Sequence, residues 1–184
     1  YIVNLVNNFS KEVDPSIISL FYKNHYLKQS NLANTLFFYK KIGSMVKFIN
    51  MANKIYFNHQ LKNRKPDIIH LTYFNKENSY SSGAKTIITE YDLIKEKFYT
   101  EKYKDQIEYK TKLFKKIDHI ICISNNTKKD LQEEYSIDAS KISIVHLGVN
   151  KDKSFRKRLL NVRPFILYVG SRQRYKNFIN ALKA

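Results

Sequence analysis

Hydrophobic positions along the chain follow two spacings, helical and extended, and the two alternate. At the start, Ile2, Leu5, Val6 and Phe9 recur at i, i+3, i+4 and i+7, which predicts a short amphipathic helix. Asp14-Pro15 interrupts it, and Ser16-Ile-Ile-Ser-Leu-Phe-Tyr22 reads as a strand. Residues 23–40, rich in aromatics, Asn and Lys, read as loop without a firm helix. Ile42, Met45, Val46, Ile49, Ala52 and Tyr56 predict a helix of about five turns over 41–61. Lys65-Pro66 ends it, Asp67 to Leu71 is a strand, and 76–82 is polar loop. Lys85 to Thr89 is the next strand, followed by a loop opening at Glu90-Tyr91-Asp92. A polar helix over about 101–116 leads into the strand His119 to Ile123, and Ser124 stands where the N-cap of a helix over 125–135 belongs. Lys141 to Val145 is a further strand, turning at Gly148. The basic stretch 151–163 lacks a period and reads as a linker. Phe165 to Val169 is then a strand broken at Gly170, with a helix starting at Phe178.

The strands are continuous apolar runs, separated by helices. That pattern predicts an α/β protein with a parallel sheet covered by helices on both faces. In such sheets ligands bind beyond the C-terminal ends of the strands, so the residues that follow each strand are the ones to inspect.

Composition narrows the classes. A content of 43% hydrophobic and 14% aromatic residues describes a globular core, not a disordered tail. No apolar run approaches the ~20 residues that cross a bilayer, and no secretory signal opens the chain. A single cysteine, Cys122, excludes an internal disulfide and a cysteine-rich zinc site and suits a reducing, cytoplasmic setting. Lying inside a strand, it reads as a packed, inert thiol. The net charge of +17 is compatible with nucleic acid or an anionic membrane, but the Lys, Asn, Ile and Tyr bias is also what A/T-rich codons produce. The basic residues are spread over polar faces, so no specific nucleic-acid partner is expected.

Four strand-end clusters could carry chemistry: His70, Thr72 and Tyr73; Glu90, Tyr91 and Asp92; Ser124-Asn125-Asn126-Thr127; and Gly170, Ser171, Arg172 and Lys176. Each also has a structural reading. His70 could be a hydrogen-bonded core histidine, Asp92 could close an Asx turn, Ser124 reads first as a cap, and Arg172 and Lys176 could be solvated charges. The last cluster has the grammar of a strand–turn–helix unit that meets a phosphate. There is no Walker motif, dinucleotide fingerprint, zinc-protease motif or nucleophile elbow.

In order and wording, Pro66-Asp-Ile-Ile-His70, Thr86-Ile-Ile-Thr-Glu-Tyr-Asp-Leu-Ile94, Ile117-Asp-His-Ile-Ile-Cys-Ile-Ser124, Lys141-Ile-Ser-Ile-Val-His-Leu-Gly-Val149 and Phe165 to Asn177 resemble the family 4 retaining glycosyltransferases. The resemblance implies a GT-B fold of two Rossmann-like domains. Residues 1–150 would form the acceptor domain without its first strand, 151–163 a linker, and 164–184 the start of the nucleotide-sugar domain. By position, Gly170, Ser171, Arg172 and Lys176 would hold the donor diphosphate. Tyr91 and Asp92 would face the donor sugar and acceptor, and His70, Thr72 and Tyr73 would line the acceptor side. Family members often carry His at position 91, and Tyr, with a pKa near 10, suits sugar positioning better than proton abstraction. The implied activity is metal- and cofactor-free transfer, of hexosyl type, from a nucleotide-sugar to a saccharide or lipid-linked acceptor in cell-envelope polysaccharide synthesis. An enzyme of this kind would be cytoplasmic or peripheral on the inner face of the membrane. The family's pair of sugar-gripping glutamates is not in this sequence, so the 184 residues alone are expected to be inactive. The alternatives are a non-enzymatic basic α/β module for nucleic acid or anionic membrane, and a sugar phosphorylase of the same architecture.

Overall fold

The computed structural model describes residues 1–22, 27, 33–34, 37–38, 45–72, 74, 83–148, 165–172 and 174–183. They form two compact units, Tyr1–Leu147 and Gly148–Ala184.

The first unit opens with helix α1 (Ile2–Asn7). Short strands β1 (Ile17–Ile18) and β2 (Phe21–Tyr22) pair in parallel with β3 (Ala33–Asn34) and β4 (Phe37–Phe38). Helix α2 (Val46–Arg64) follows, then β5 (Ile68–Leu71), β6 (Lys85–Glu90), α3 (Ile94–Phe98), α4 (Thr100–Lys116), β7 (His119–Cys122), α5 (Asn125–Tyr135), a 3-10 turn at Ala139–Lys141 and β8 (Ile142–Ile144). Strands β5-β6-β7-β8 make a four-stranded, wholly parallel sheet in that order.

The register explains the core. Leu71, Ile88, Ile120 and Ile142 are partners across all four strands, so one apolar row runs the width of the sheet. Ile88 and Ile120 at its centre are 0% exposed, and Leu113, Phe114, Ile117 and Leu131 share their cluster. Because side chains alternate along a strand, Ile69, Thr86 and Cys122 join this buried face. On the other face Thr89 is buried, His70, Ile87, His119 and Ile121 are half-buried, and Ile68, Lys85 and Ser143 are exposed, a less complete cover than the apolar runs imply. Burial pushes the Cys122 thiol up to about 11, which fits the inert role. At the opposite end of the sheet from the strand-end clusters, Asp118 accepts the Thr86 N–H at 2.8 Å and pairs with Lys85 at 2.9 Å, fastening β6 to the entry of β7.

Most predicted elements are present, with four differences. The expected strand 16–22 is two pieces, because Ser19 Oγ turns back to donate to the Phe21 carbonyl at 2.8 Å. The amide of Asn53 on α2 then acts as a strand partner to Phe21, accepting its N–H at 2.8 Å and donating to its carbonyl at 3.1 Å. Within the stretch read as loop lie β3 and β4, whose strand character comes from partners about sixteen residues away. Helix α3 was not predicted: five residues are too few to show a helical period. In the second unit the helix is present as α6 (Phe178–Lys183), preceded by a 3-10 turn at Arg174–Lys176, but 165–169 has no ladder partner among the described residues and Ile166 is fully exposed. β-propensity marks a segment able to pair; the pair itself requires a neighbour. Residues 76–82 and 151–163, expected as loop and linker, lie outside the described residues.

Replacing Ile120 by Ala should lower the urea-unfolding free energy by about 2–5 kcal/mol through lost burial and a residual cavity. Ile55→Ala, at a side chain 64% exposed, should change it by less than about 0.5 kcal/mol.

Candidate functional site

Strands β5, β6 and β7 end side by side, and their last residues behave differently. His70 in β5 is half-buried, and its Nε2 lies 2.8 Å from Thr89 Oγ1 on β6. Burial pushes the His70 imidazole below its usual range, keeping it neutral at physiological pH. It is a strand-to-strand hydrogen-bonding residue at the sheet's C-terminal end. Thr72 is half-buried beside it, and Tyr73 lies outside the described residues.

At the end of β6, Glu90 belongs to the buried face and is the last residue of the strand, so the loop begins at Tyr91 and Asp92. Asp92 is exposed, and its Oδ1 accepts the Ile94 N–H at 3.2 Å, an Asx-type turn that starts α3. Tyr91 is half-buried with its ring 6.0 Å edge-on from that of Tyr1. Burial, aided by Tyr1, raises the pKa of its phenol, so Tyr91 is a hydrogen-bond donor at neutral pH and no base.

The loop is held from β7. Ser124 caps α5 by accepting the Thr127 N–H at 3.1 Å. Thr127 Oγ1 donates to the Tyr91 carbonyl at 3.1 Å, and Ser124 Oγ lies 2.9 Å from Thr127 Oγ1. Since Thr127 gives its hydroxyl proton to Tyr91, Ser124 must donate to Thr127. Ser124 is therefore a cap and the first member of a hydroxyl relay that fixes the Tyr91 backbone.

Beneath the loop is a charged cluster absent from the sequence reading. Lys110 Nζ on α4 is 2.8 Å from Glu90 Oε1 and 2.8 Å from Glu96 Oε1, and all three side chains are buried. Tyr135 OH on α5 donates to Glu96 Oε1 at 2.7 Å. One ammonium thus faces two carboxyl groups. Burial pushes the Glu90 carboxyl up to about 7; the attraction of Lys110 opposes that shift and the nearby Glu96 and Asp92 reinforce it. Burial would depress the Lys110 ammonium, but the two carboxyl groups outweigh it and its pKa is raised. Burial and the bond to Glu96 raise the Tyr135 phenol as well. A signal did exist: Lys110 interrupts the apolar stripe Ile107, Leu113, Phe114, Ile117 at helical spacing. A lysine on a core-facing stripe needs a buried partner.

Between α3, α4 and the end of β6 lies a cleft of about 90 Å³ lined by Thr89, Tyr91, Asp92, Lys95, Gln106 and the charged cluster, with Phe74 and Ile107 as its apolar wall. With a water occupying ~30 Å³ of liquid volume, it has room for a few waters or the hydroxylated edge of a ring. Donors and acceptors both line it, which suits a neutral polyhydroxylated ligand.

In the second unit, Gly170 has φ +145°, a conformation that favours glycine. The Ser171 carbonyl accepts from Tyr168 OH at 2.7 Å, the Arg172 guanidinium lies 4.8 Å over the Phe178 ring, and Lys176 Nζ lies 5.0 Å over Tyr175. Of the four predicted residues, Gly170, Ser171 and Arg172 directly follow 165–169 and Lys176 ends the 3-10 turn; both cations are exposed. Among the described residues, no three His, Cys, Asp or Glu side chains gather as a metal site, and no helix is long and apolar enough to cross a membrane.

The raised Glu90 pKa gives a pH signature. Its protonated form contributes stability in full below about pH 4.5, where the unfolded carboxyl is protonated too, and that contribution is lost as pH rises through about 7. Glu90→Gln should therefore become more stable relative to wild type between pH 5 and 8, read by urea unfolding. Lys110→Met should cost about 3–5 kcal/mol at pH 8, and less at pH 5.

A family model described as Glycosyltransferase Family 4 matches residues 1–153 of the 184. No curated protein compared with the chain matches it in sequence. The match spans the parallel sheet, the strand-end loops and the buried cluster. A domain of this kind moves a sugar from a donor to an acceptor. The chain belongs to glycosyltransferase family 4.

Proposed function

We propose that this chain takes part in retaining transfer of a hexosyl group from a nucleotide-sugar to a saccharide or lipid-linked acceptor, in cell-envelope polysaccharide synthesis. The observation that carries the reading is the end of β6. There a fixed loop, Tyr91-Asp92, stands over a small cleft of mixed polar and apolar lining at the C-terminal edge of a parallel sheet, where such folds bind ligands. In this reading residues 1–150 hold the acceptor, with His70, Thr72 and Tyr73 on that side, and residues from 164 onward meet the donor.

The roles follow from the chemistry. Departure of a nucleoside diphosphate builds negative charge on the leaving oxygens, which fixed cations stabilise. Arg172 and Lys176 supply that charge without a metal, and the turn at Gly170-Ser171 lets the backbone approach the diphosphate. Tyr91 donates a hydrogen bond to a sugar oxygen. Asp92 accepts one from a hydroxyl through the oxygen that the Ile94 N–H leaves free. No protein nucleophile is assigned. The enzyme would act at the inner face of the membrane, held there peripherally.

In an active preparation, Lys176→Ala should lower kcat for radiolabelled sugar transfer by roughly 10²-fold. Unchanged kinetics would remove Lys176 from the site. Tyr91→Phe should lower kcat/KM by about tenfold, the worth of one hydrogen bond. Its pH–rate profile below pH 9 should match wild type; loss of an ascending limb, in which the wild-type rate climbs with pH, would mean that Tyr91 acts as a base.

A further inference from the structure

Helix α2 presents two opposed apolar faces. Ile49, Asn53, Phe57 and Leu61 follow one line along the helix, and this is the side turned to protein: Ile49 and Leu61 are buried, Phe57 packs on the core, and Asn53 binds the Phe21 backbone. At 100° per residue, Phe48, Met51 and Ile55 lie on the opposite side. These three are 55%, 54% and 64% exposed, with exposed Met45 extending the stripe at the N-terminal end. Completing the core from the first side leaves this stripe uncovered.

The charge around the stripe is of one sign. From Met45 to Lys65 there is no Asp or Glu, whereas Lys47, Lys54, Lys62, Arg64 and Lys65 all fall in the segment. Lys47 and Lys54 run along one flank, and Lys62 continues the stripe toward its C-terminal end. None of these three lysines has an ion-pair partner among the described residues. A second copy of the chain would bring the same lysines face to face, so self-association is disfavoured. The partner must be apolar at its centre and anionic at its rim, and it must accept a convex helix without offering a shaped groove. An anionic bilayer surface meets all three demands: side chains such as Phe, Met and Ile enter the acyl boundary while lysines reach the headgroups.

We propose that the outward face of α2, through Phe48, Met51 and Ile55 with Lys47, Lys54 and Lys62, docks the protein on an anionic phospholipid surface, lying in the interface and not spanning it. The inference deepens the peripheral-membrane part of the functional reading by naming the element that binds.

The test is co-sedimentation of the full chain with vesicles of phosphatidylcholine alone and of phosphatidylcholine with phosphatidylglycerol. Wild type should bind the anionic vesicles and release in high salt. Lys47→Gln/Lys54→Gln/Lys62→Gln should weaken binding by roughly 10²-fold, at about fivefold per lysine. Phe48→Ser/Met51→Ser/Ile55→Ser should weaken it at least tenfold. In the single variant Phe48→Trp, which keeps an apolar aromatic side chain at an exposed position, the emission should shift to the blue on adding anionic vesicles. The proposal is overturned if wild type ignores anionic vesicles, if the serine variant binds as tightly as wild type, if the tryptophan shows no shift, or if the stripe proves to mediate dimerisation or capture of an acidic polypeptide instead. Vesicle binding is read without any sugar substrate, so its failure would leave the transferase reading standing, and failed transfer would leave this one.

Discussion

Placing the Lys110 ammonium in the interior constrains everything around the β6 end. A buried cation without partners costs several kcal/mol, so the fold must bring carboxyl groups to it. It brings one from the last residue of β6 and one from α3, and α5 adds the Tyr135 hydroxyl. Four elements are thereby tied at a single point. Burial, reinforced by the second carboxyl group facing the same cation, makes Glu90 hold its proton to near neutrality. The cluster is a neutral, hydrogen-bonded floor under the loop when Glu90 is protonated, and a net anion when it is not.

That floor determines what can stand above it. Glu90 is committed to the buried face and is the last residue of the strand, so the loop begins at Tyr91. The Ser124–Thr127 relay takes hold of the Tyr91 carbonyl, and Asp92 uses one oxygen to start α3. Residues that read in the sequence as candidates for chemistry thus divide by what their polar atoms already do. Ser124 and one oxygen of Asp92 are engaged in backbone geometry, and the neutral His70 joins two strands. Tyr91 and Asp92 both line the cleft.

Much was legible from the chain alone. The alternation of strands and helices, the parallel sheet, the N-cap at Ser124 and the family membership all follow from local pattern and the order of short motifs. These are properties of near neighbours along the chain: apolar period, capping chemistry, the break at Pro66. What was misread or missed depends on distant partners. β3 and β4 are strands because of β1 and β2, and 165–169, equally β-prone, has no ladder partner among the described residues. Lys110 was one lysine among many until packing set it between Glu90 and Glu96, twenty and fourteen residues away.

The sequence by itself therefore determined the class of fold and the residues that end each strand. Only the tertiary structure decided which of those residues were spent on holding the fold, which carboxyl would keep its proton, and which face of α2 would be left to solvent. The reason is physical. Period and propensity are written over a few residues, whereas burial, charge pairing and exposure are set by what the whole chain folds against each side chain.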